Sequence, residues 1–264
     1  MCLVPKLGEA ARQELLGQVG RDGFARFPSP CDEAFVERVL EVFGQVAGRV
    51  LEALGDREIG VGSAAGYEEI VQRSPGRWDI PLPLDSFGFE DRDMPWWPVV
   101  AAVLGDDAEH SFTGVVSSDP GSPAQHWHID SPHVDVRHRP PHAMNVLVAL
   151  HDIPLAMGPT EYARGSHRLT NHRRYPGLVR DELVYQHETM SPAVLARHSA
   201  QPEPARVAEA LTAGSCLAFD DRLLHRGLAN HSSTHRHLAY FSYRKKGYTE
   251  NTYFEAQRSV FDSR

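Results

Sequence analysis

A mainly β fold with flanking α-helices, a jelly roll behind a helical N-terminal layer, is what this sequence predicts. Three observations predict it. Two helix-patterned stretches fall within the first 54 residues, short β-patterned segments separated by turns follow from residue 111, and no internal repeat or long linker interrupts them. The chain has 264 residues, which fits one domain over 1–264, with a helical layer over about 1–105 and a β core over about 106–245.

Taken in order, residues 8–19 read as a helix and Gly23–Phe27 as a short strand. Residues 32–54 make a stronger helix. Phe35, Val39, Phe43, Val46, Val50 and Leu54 recur at three- and four-residue steps, so one face is apolar, and Asp32 is the expected N-cap. Residues 60–98 look irregular, with Pro75, Pro81, Pro83 and then Pro95-Trp96-Trp97-Pro98, as expected of a lid or substrate-binding loop. A short helix is expected over 97–104 and another near 191–198. Strands are expected over 111–118, 125–130, 143–151, 159–163, 215–220, 222–229 and 236–243. The turn Asn230-His231-Ser232-Ser233-Thr234 suggests that the last two form an antiparallel hairpin.

Composition narrows the function. Lys and Arg total 27 against 35 Asp and Glu, a formal net charge of -8, which argues against a fold-wide nucleic-acid surface. No stretch approaches the ~18 uninterrupted apolar residues of a membrane helix, and MCLVPKLGEAARQELL lacks a signal peptide's apolar run. Cys2, Cys31 and Cys216 make no CxxC spacing, as expected in a reducing compartment. A soluble, cytoplasmic protein with a small-molecule substrate, and no nucleic-acid or membrane partner, is the expectation.

His128-Ile129-Asp130 is an HxD pair, and alternate strand residues project to one face, where an imidazole and a carboxylate can grip one ion. With 15 His and 17 Asp in 264 residues, chance alone supplies about one HxD, and a second occurs at His133-Val134-Asp135. Context favours the first, because His133 follows a proline and leads into the loop-like Arg137-His138-Arg139-Pro140-Pro141. A third ligand is available at His225, in Leu223-Leu224-His225-Arg226-Gly227, and Arg236 stands eleven residues later. Two imidazoles and one carboxylate on one face of Fe(II) leave three positions, two for a chelating 2-oxo acid and one for dioxygen. The far carboxylate of such a cosubstrate needs a forked cationic donor, which Arg236 supplies.

The segments PGSPAQHWHID (120–130), GPTEYARGSHR (158–168) and AGSCLAFDDRLLHRGLAN (213–230), followed by Arg236, resemble the phytanoyl-CoA dioxygenase family of Fe(II)/2-oxoglutarate oxygenases. The resemblance runs from Gly23-Phe24 to about Tyr243. It implies a double-stranded β-helix (jelly roll, cupin-like), with His128, Asp130 and His225 as metal ligands and Arg236 on the distal carboxylate of 2-oxoglutarate. It also implies that Gln125, Asn145 and Thr160 line the cosubstrate pocket, although each has an alternative as a satisfied core polar residue. Some members carry a serine two residues after the distal histidine whose hydroxyl helps hold the cosubstrate; Gly227 stands there instead. Related iron halogenases lack the carboxylate, so Asp130 favours hydroxylation or another oxidative outcome. His167 reads as structural, and Asp220 either orients neighbouring groups or is an exposed turn carboxylate.

The expected reaction consumes 2-oxoglutarate and dioxygen and releases succinate and CO2. Hydroxylation, desaturation, cyclisation and epimerisation share its first step. The substrate expected is a small organic molecule such as a specialised metabolite. The loops 66–79, 131–142 and 170–200 should shape its binding, with Arg73, Arg77 and Trp78 as candidate contacts or ordinary loop anchors. The rivals are an acyl-CoA hydroxylase of the same family and a non-oxygenase metal-binding jelly roll, either an isomerase or a ligand-binding module.

Overall fold

The computed structural model describes residues 7–27, 31–130, 140–170, 191–248 and 256–262. Helix α1 (Glu9–Asp22), strand β1 (Phe24–Arg26) and helix α2 (Glu33–Leu54) open the chain close to their expected limits. The Asp32 carboxylate caps α2 by accepting the Phe35 amide at 2.8 Å, which satisfies one of the first-turn donors. The apolar stripe does what its spacing implies: Phe35, Val39, Val46 and Val50 are buried, and Phe43 and Leu54 pack against the same core. Helix α3 (Trp97–Leu104) completes the helical layer.

The stretch 60–98 is more ordered than its composition suggests. It contains a hairpin of β2 (Val71–Ser74) and β3 (Arg77–Pro81), which turns at Pro75-Gly76 and pairs with β4 (Glu109–Ser118). Downstream come β5 (Ala143–Ala149), β6 (Thr160–Ala163), helix α4 (Pro192–Ser199), β7 (Arg206–Ala208), β8 (Cys216–Asp220), β9 (His225–Gly227) and β10 (Arg236–Arg244). A seven-stranded antiparallel sheet runs in the order β1-β8-β5-β10-β4-β3-β2, and a smaller sheet in the order β7-β6-β9. The N-terminal layer is therefore not purely helical, since it contributes three strands to the larger sheet.

Two further expectations are corrected. The stretch 125–130 is not a strand; it meets the smaller sheet through one isolated bridge, His128 to His225, and through hydrogen bonds between Gln125 and Gly227. Nor do 222–229 and 236–243 form a hairpin, because β9 pairs with β6 while β10 lies between β4 and β5. The turn between them carries the chain from one sheet to the other. Asn230 fixes that crossing: its Nδ2 donates to Ser118 O at 3.2 Å and to Thr234 O at 2.9 Å, and its Oδ1 accepts the Ser232 amide at 3.1 Å.

Strand alternation sorts the larger sheet into two environments. Val115, Val146, Val148, Ala218, Ala239 and Phe241 face the helices and form the main core with α2 and α3. The intervening residues face the smaller sheet, among them Asn145, Leu147, Phe219, Arg236, Leu238, Tyr240 and Ser242, and a pocket lies between the sheets. Among the described residues no helix is long and apolar enough to cross a membrane.

Candidate metal centre

The backbone brings the two histidines together. His128 N donates to His225 O at 3.0 Å and His225 N donates to His128 O at 2.9 Å, so the rings sit side by side with centroids 4.4 Å apart. Each Nδ1 lies against a carbonyl two residues earlier, His128 on His126 O at 2.9 Å and His225 on Leu223 O at 2.8 Å. A proton on each Nδ1 satisfies those carbonyls and leaves both Nε2 lone pairs for a ligand. Asp130 joins through its amide, which donates to Asp221 O at 3.0 Å. Its Oδ1 then stands 3.9 Å from His128 Nε2 and 3.5 Å from His225 Nε2.

One donor atom from each of these three residues falls within 4.8 Å of the others. Burial, followed by the neighbouring charge of His225, pushes His128 down to about 4, which keeps its imidazole neutral and able to donate a lone pair. Two neutral imidazoles and one carboxylate suit a divalent cation such as Fe(II). The second oxygen of Asp130 is held from behind: Asn145 Nδ2 donates to Oδ2 at 2.5 Å, and Ser242 Oγ donates to Asn145 Oδ1 at 2.5 Å. Asn145 thus reaches Asp130 itself, a link that only the pairing of Asn145 with Ser242 across β5 and β10 reveals.

The cluster opens onto a pocket of about 300 Å³ that extends between the sheets to Arg236. Arg236 is 2% exposed, with Nη2 donating to Ser118 Oγ at 2.8 Å and Nη1 to Gly158 O. Gly158 has φ 71°, and a Cβ there would collide with the carbonyls of Leu228 and Ala229, so a residue without a side chain is required. Burial pulls Arg236 down to about 9, with the positive charge of Arg77 the next cause. Gln125 is locked to β9, its Oε1 accepting the Gly227 amide at 2.9 Å, and Thr160 lines the same pocket beside it. A larger cavity of about 590 Å³ lies on the helix side near Asp91 and Trp97, and it contains none of the three converging groups.

The three substrate candidates diverge. Arg73 lies at the pocket opening, tied to Asp79 at 2.7 Å and to Ser63 Oγ at 2.9 Å. Arg77 is fully buried and donates through Nη2 to Pro123 O at 2.9 Å and Leu228 O at 2.5 Å. Trp78, on the opposite face of β3, packs against the helix-side core and donates to Asp119 Oδ2 at 2.8 Å, away from the pocket wall. His133 and Asp135 lie outside the described residues. Sequence reading missed Asp79, Tyr240 and Ser242 at the opening. Tyr240 and Ser242 were accessible, since they alternate with Arg236 and Leu238 along β10. His167 and Asp220 are buried, with Asp220 paired to Arg222 at 2.5 Å, so neither is an exposed turn residue.

Two sheets with a two-histidine, one-carboxylate cluster between them define a double-stranded β-helix with a candidate metal centre. The profile of the phytanoyl-CoA dioxygenase (PhyH) family matches residues 20–238. The chain belongs to this family of Fe(II)/2-oxoglutarate-dependent oxygenases. Among solved structures, the chain is similar to the non-haem alpha-ketoglutarate-dependent carbocyclase SnoK from nogalamycin biosynthesis, at 19% identity and TM-score 0.58, over 88% of this chain and 83% of that one. It is similar to EctD from S. alaskensis with bound Fe, at 19% identity and TM-score 0.59, over 95% and 82%. It is similar also to HygX from Streptomyces hygroscopicus with nickel, 2-oxoglutarate and hygromycin B bound, at 17% identity and TM-score 0.57, over 90% and 89%.

Proposed function

We propose that the protein is an Fe(II)- and 2-oxoglutarate-dependent dioxygenase that hydroxylates a small organic molecule, with His128, Asp130 and His225 as its metal ligands. The observation that carries this reading is the convergence of two imidazole nitrogens and one carboxylate oxygen at a pocket that also holds the buried Arg236. Iron bound there, with 2-oxoglutarate and dioxygen, supplies the oxidant, and the cosubstrate leaves as succinate and CO2. Arg236 would take the far carboxylate of 2-oxoglutarate as a forked donor. Thr160 and Gln125 would contact the cosubstrate from the smaller sheet. Asn145 would aim Asp130, while Leu147, Phe219 and Leu238 exclude water from the pocket. Asp130 itself fills the position that a halide would need, which favours oxygenation over halogenation.

The substrate would enter past Arg73, Asp79, Ser111, Phe112, Ser242 and Arg244. Such a wall suits a hydroxylated or aminated specialised metabolite. The bound hygromycin B of HygX and the nogalamycin pathway of SnoK support the same class. An acyl-CoA is a poorer fit to the described residues. Both arginines at the opening are already paired with carboxylates, Arg73 with Asp79 and Arg244 with Glu109, which leaves less charge for coenzyme phosphates.

Anaerobic addition of Fe(II) and 2-oxoglutarate should produce a weak visible charge-transfer band that is lost in His225→Ala. With metal demonstrably bound, a featureless visible spectrum in the intact protein would overturn the chelation reading. Arg236→Ala should raise the 2-oxoglutarate requirement while iron still binds; equal loss of iron counts against its assigned role.

A further inference from the structure

Register places Arg77 and Arg236 on either side of one serine. Ser118 on β4 is opposite Arg77 on β3 and opposite Arg236 on β10, so the three side chains stand abreast on the pocket face of the sheet. Both guanidinium groups use the same hydroxyl: Arg77 Nη1 approaches Ser118 Oγ at 3.3 Å and Arg236 Nη2 at 2.8 Å. Neither arginine has a carboxylate partner among the described residues, and both Nε atoms are buried there without an acceptor. The nearest acid along β3, Asp79, is taken by Arg73 and Tyr240. Two buried like charges side by side are unfavourable, and an anion between them removes the imbalance.

Across the gap, β9 presents Gly227. A Cβ at that position would strike Arg77 Nη1 and lie 2.9 Å from its Cζ and 2.8 Å from Gln125 Oε1. The guanidinium of Arg77 thus fills the volume that any side chain at 227 would claim, which sets this second cation against Gly227, itself part of the pocket wall. Burial draws Arg77 down to about 10, still charged at neutral pH, so the pair presents two full positive charges.

We infer that Arg77 and Arg236 together form a two-guanidinium site for the far carboxylate of a 2-oxo diacid, and that Gly227 is the residue that admits Arg77 to it. This rests on the oxygenase reading above. It assigns Arg77 to cosubstrate selection rather than to the substrate. A carboxylate has two oxygens, so one can face each guanidinium, whereas a 2-oxo monoacid of the same chain length has nothing to offer either.

The test is anaerobic titration of the Fe(II)-loaded protein with 2-oxoglutarate and with 2-oxopentanoate, read by the charge-transfer band, with calorimetry on the Ni(II)-loaded protein as a second readout. The intact protein should strongly prefer the diacid. Arg77→Met should weaken 2-oxoglutarate about tenfold or more, the scale of a charge-assisted hydrogen bond, and leave 2-oxopentanoate and metal affinity unchanged. Gly227→Ala should do the same by displacing Arg77, and covers the case in which Arg77→Met does not fold. The double variant should bind no worse than the weaker single one, because both act through one guanidinium. Equal weakening of both oxo acids would mean that Arg77 only braces the 123 and 228 backbone, and overturns the inference. Unchanged diacid affinity in the variants overturns it too, while the oxygenase reading stands. No binding of either oxo acid by the intact protein overturns both.

Discussion

At the scale of single residues, the site depends on how three ligand atoms are held before any ion arrives. Asp130 is the least constrained by backbone, and Asn145 and Ser242 supply its orientation through two 2.5 Å hydrogen bonds. Asn145→Ala should lower metal affinity by about 10- to 100-fold, the usual effect of losing a ligand's supporting partner. Competition with a chromophoric chelator measures it. If metal affinity holds and only 2-oxoglutarate binding weakens, Asn145 is a cosubstrate contact after all. A different histidine contributes to acid sensitivity, alongside His128 and His237, which burial lowers in the same way. His167 is buried beside Asp220 and Arg222, and desolvation depresses it from 6.5 to about 4. Its neutral form is the folded form, so below about pH 6.5 the unfolded chain takes up the proton first, and stability is lost progressively down to about 4. Melting temperature should therefore fall across that window, and His167→Gln should flatten the slope. The three converging groups were legible because imidazole and carboxylate announce their chemistry wherever they stand. The contact of Asn145 with Asp130 and the position of Trp78 were not, because each depends on which face of a strand looks into the pocket.

At the scale of elements, what the sequence revealed followed length. Helix α2 spans 22 residues, long enough for its stripe and its cap to be read directly. Asp32→Ala should cost about 1 kcal/mol, the common value for a lost N-cap, measurable by urea unfolding. Loss much below that would mean that the packing of Phe35 and Val39 already fixes the first turn. By contrast β9 has three residues, too few for any alternation to show. Strands β2 and β3 were hidden by Pro75, Gly76 and Pro81, whose turn chemistry masks a hairpin that only pairing with β4 completes. The apparent hairpin after His225 failed for a related reason. Local turn signals report that the chain reverses, not which sheet receives it, and Asn230 sends β10 to the other one.

At the scale of the whole molecule, the larger sheet divides the protein into a dry side and a working side. Aromatic packing of Phe35, Trp96 and Phe241 makes the first, with Trp96 and Phe241 centroids 5.0 Å apart. The second is a pocket walled by buried polar groups, Arg236 among them, together with apolar side chains such as Leu147, Phe219 and Leu238, and it is shaped to receive a ligand. Ligands should therefore stabilise the fold by mass action, about 2.7 kcal/mol at a concentration 100 times the dissociation constant. Thermal unfolding should rise in temperature with Fe(II) or Ni(II) and rise again with 2-oxoglutarate. A melting point indifferent to both, in protein shown to bind them, would mean that the site's occupancy is not coupled to global unfolding. The same division shows why architecture was legible and the pocket's detail was not. Apolar periodicity records the dry side, whereas the working side is written in pairs of polar residues far apart in the chain.

The bridge between His128 and His225 has one more consequence. Segment 125–130 is fastened to the far side of the pocket by Gln125 N to Gly227 O, by the reciprocal His128 and His225 bonds, and by Asp130 N to Asp221 O. These amides form a short zipper, and three of them belong to residues whose side chains converge at the candidate metal centre. Whatever closes the ligand cluster also closes the zipper. An occupied centre therefore leaves a record in the backbone, as slowed hydrogen exchange at positions 128, 130 and 225, legible without colour and without turnover.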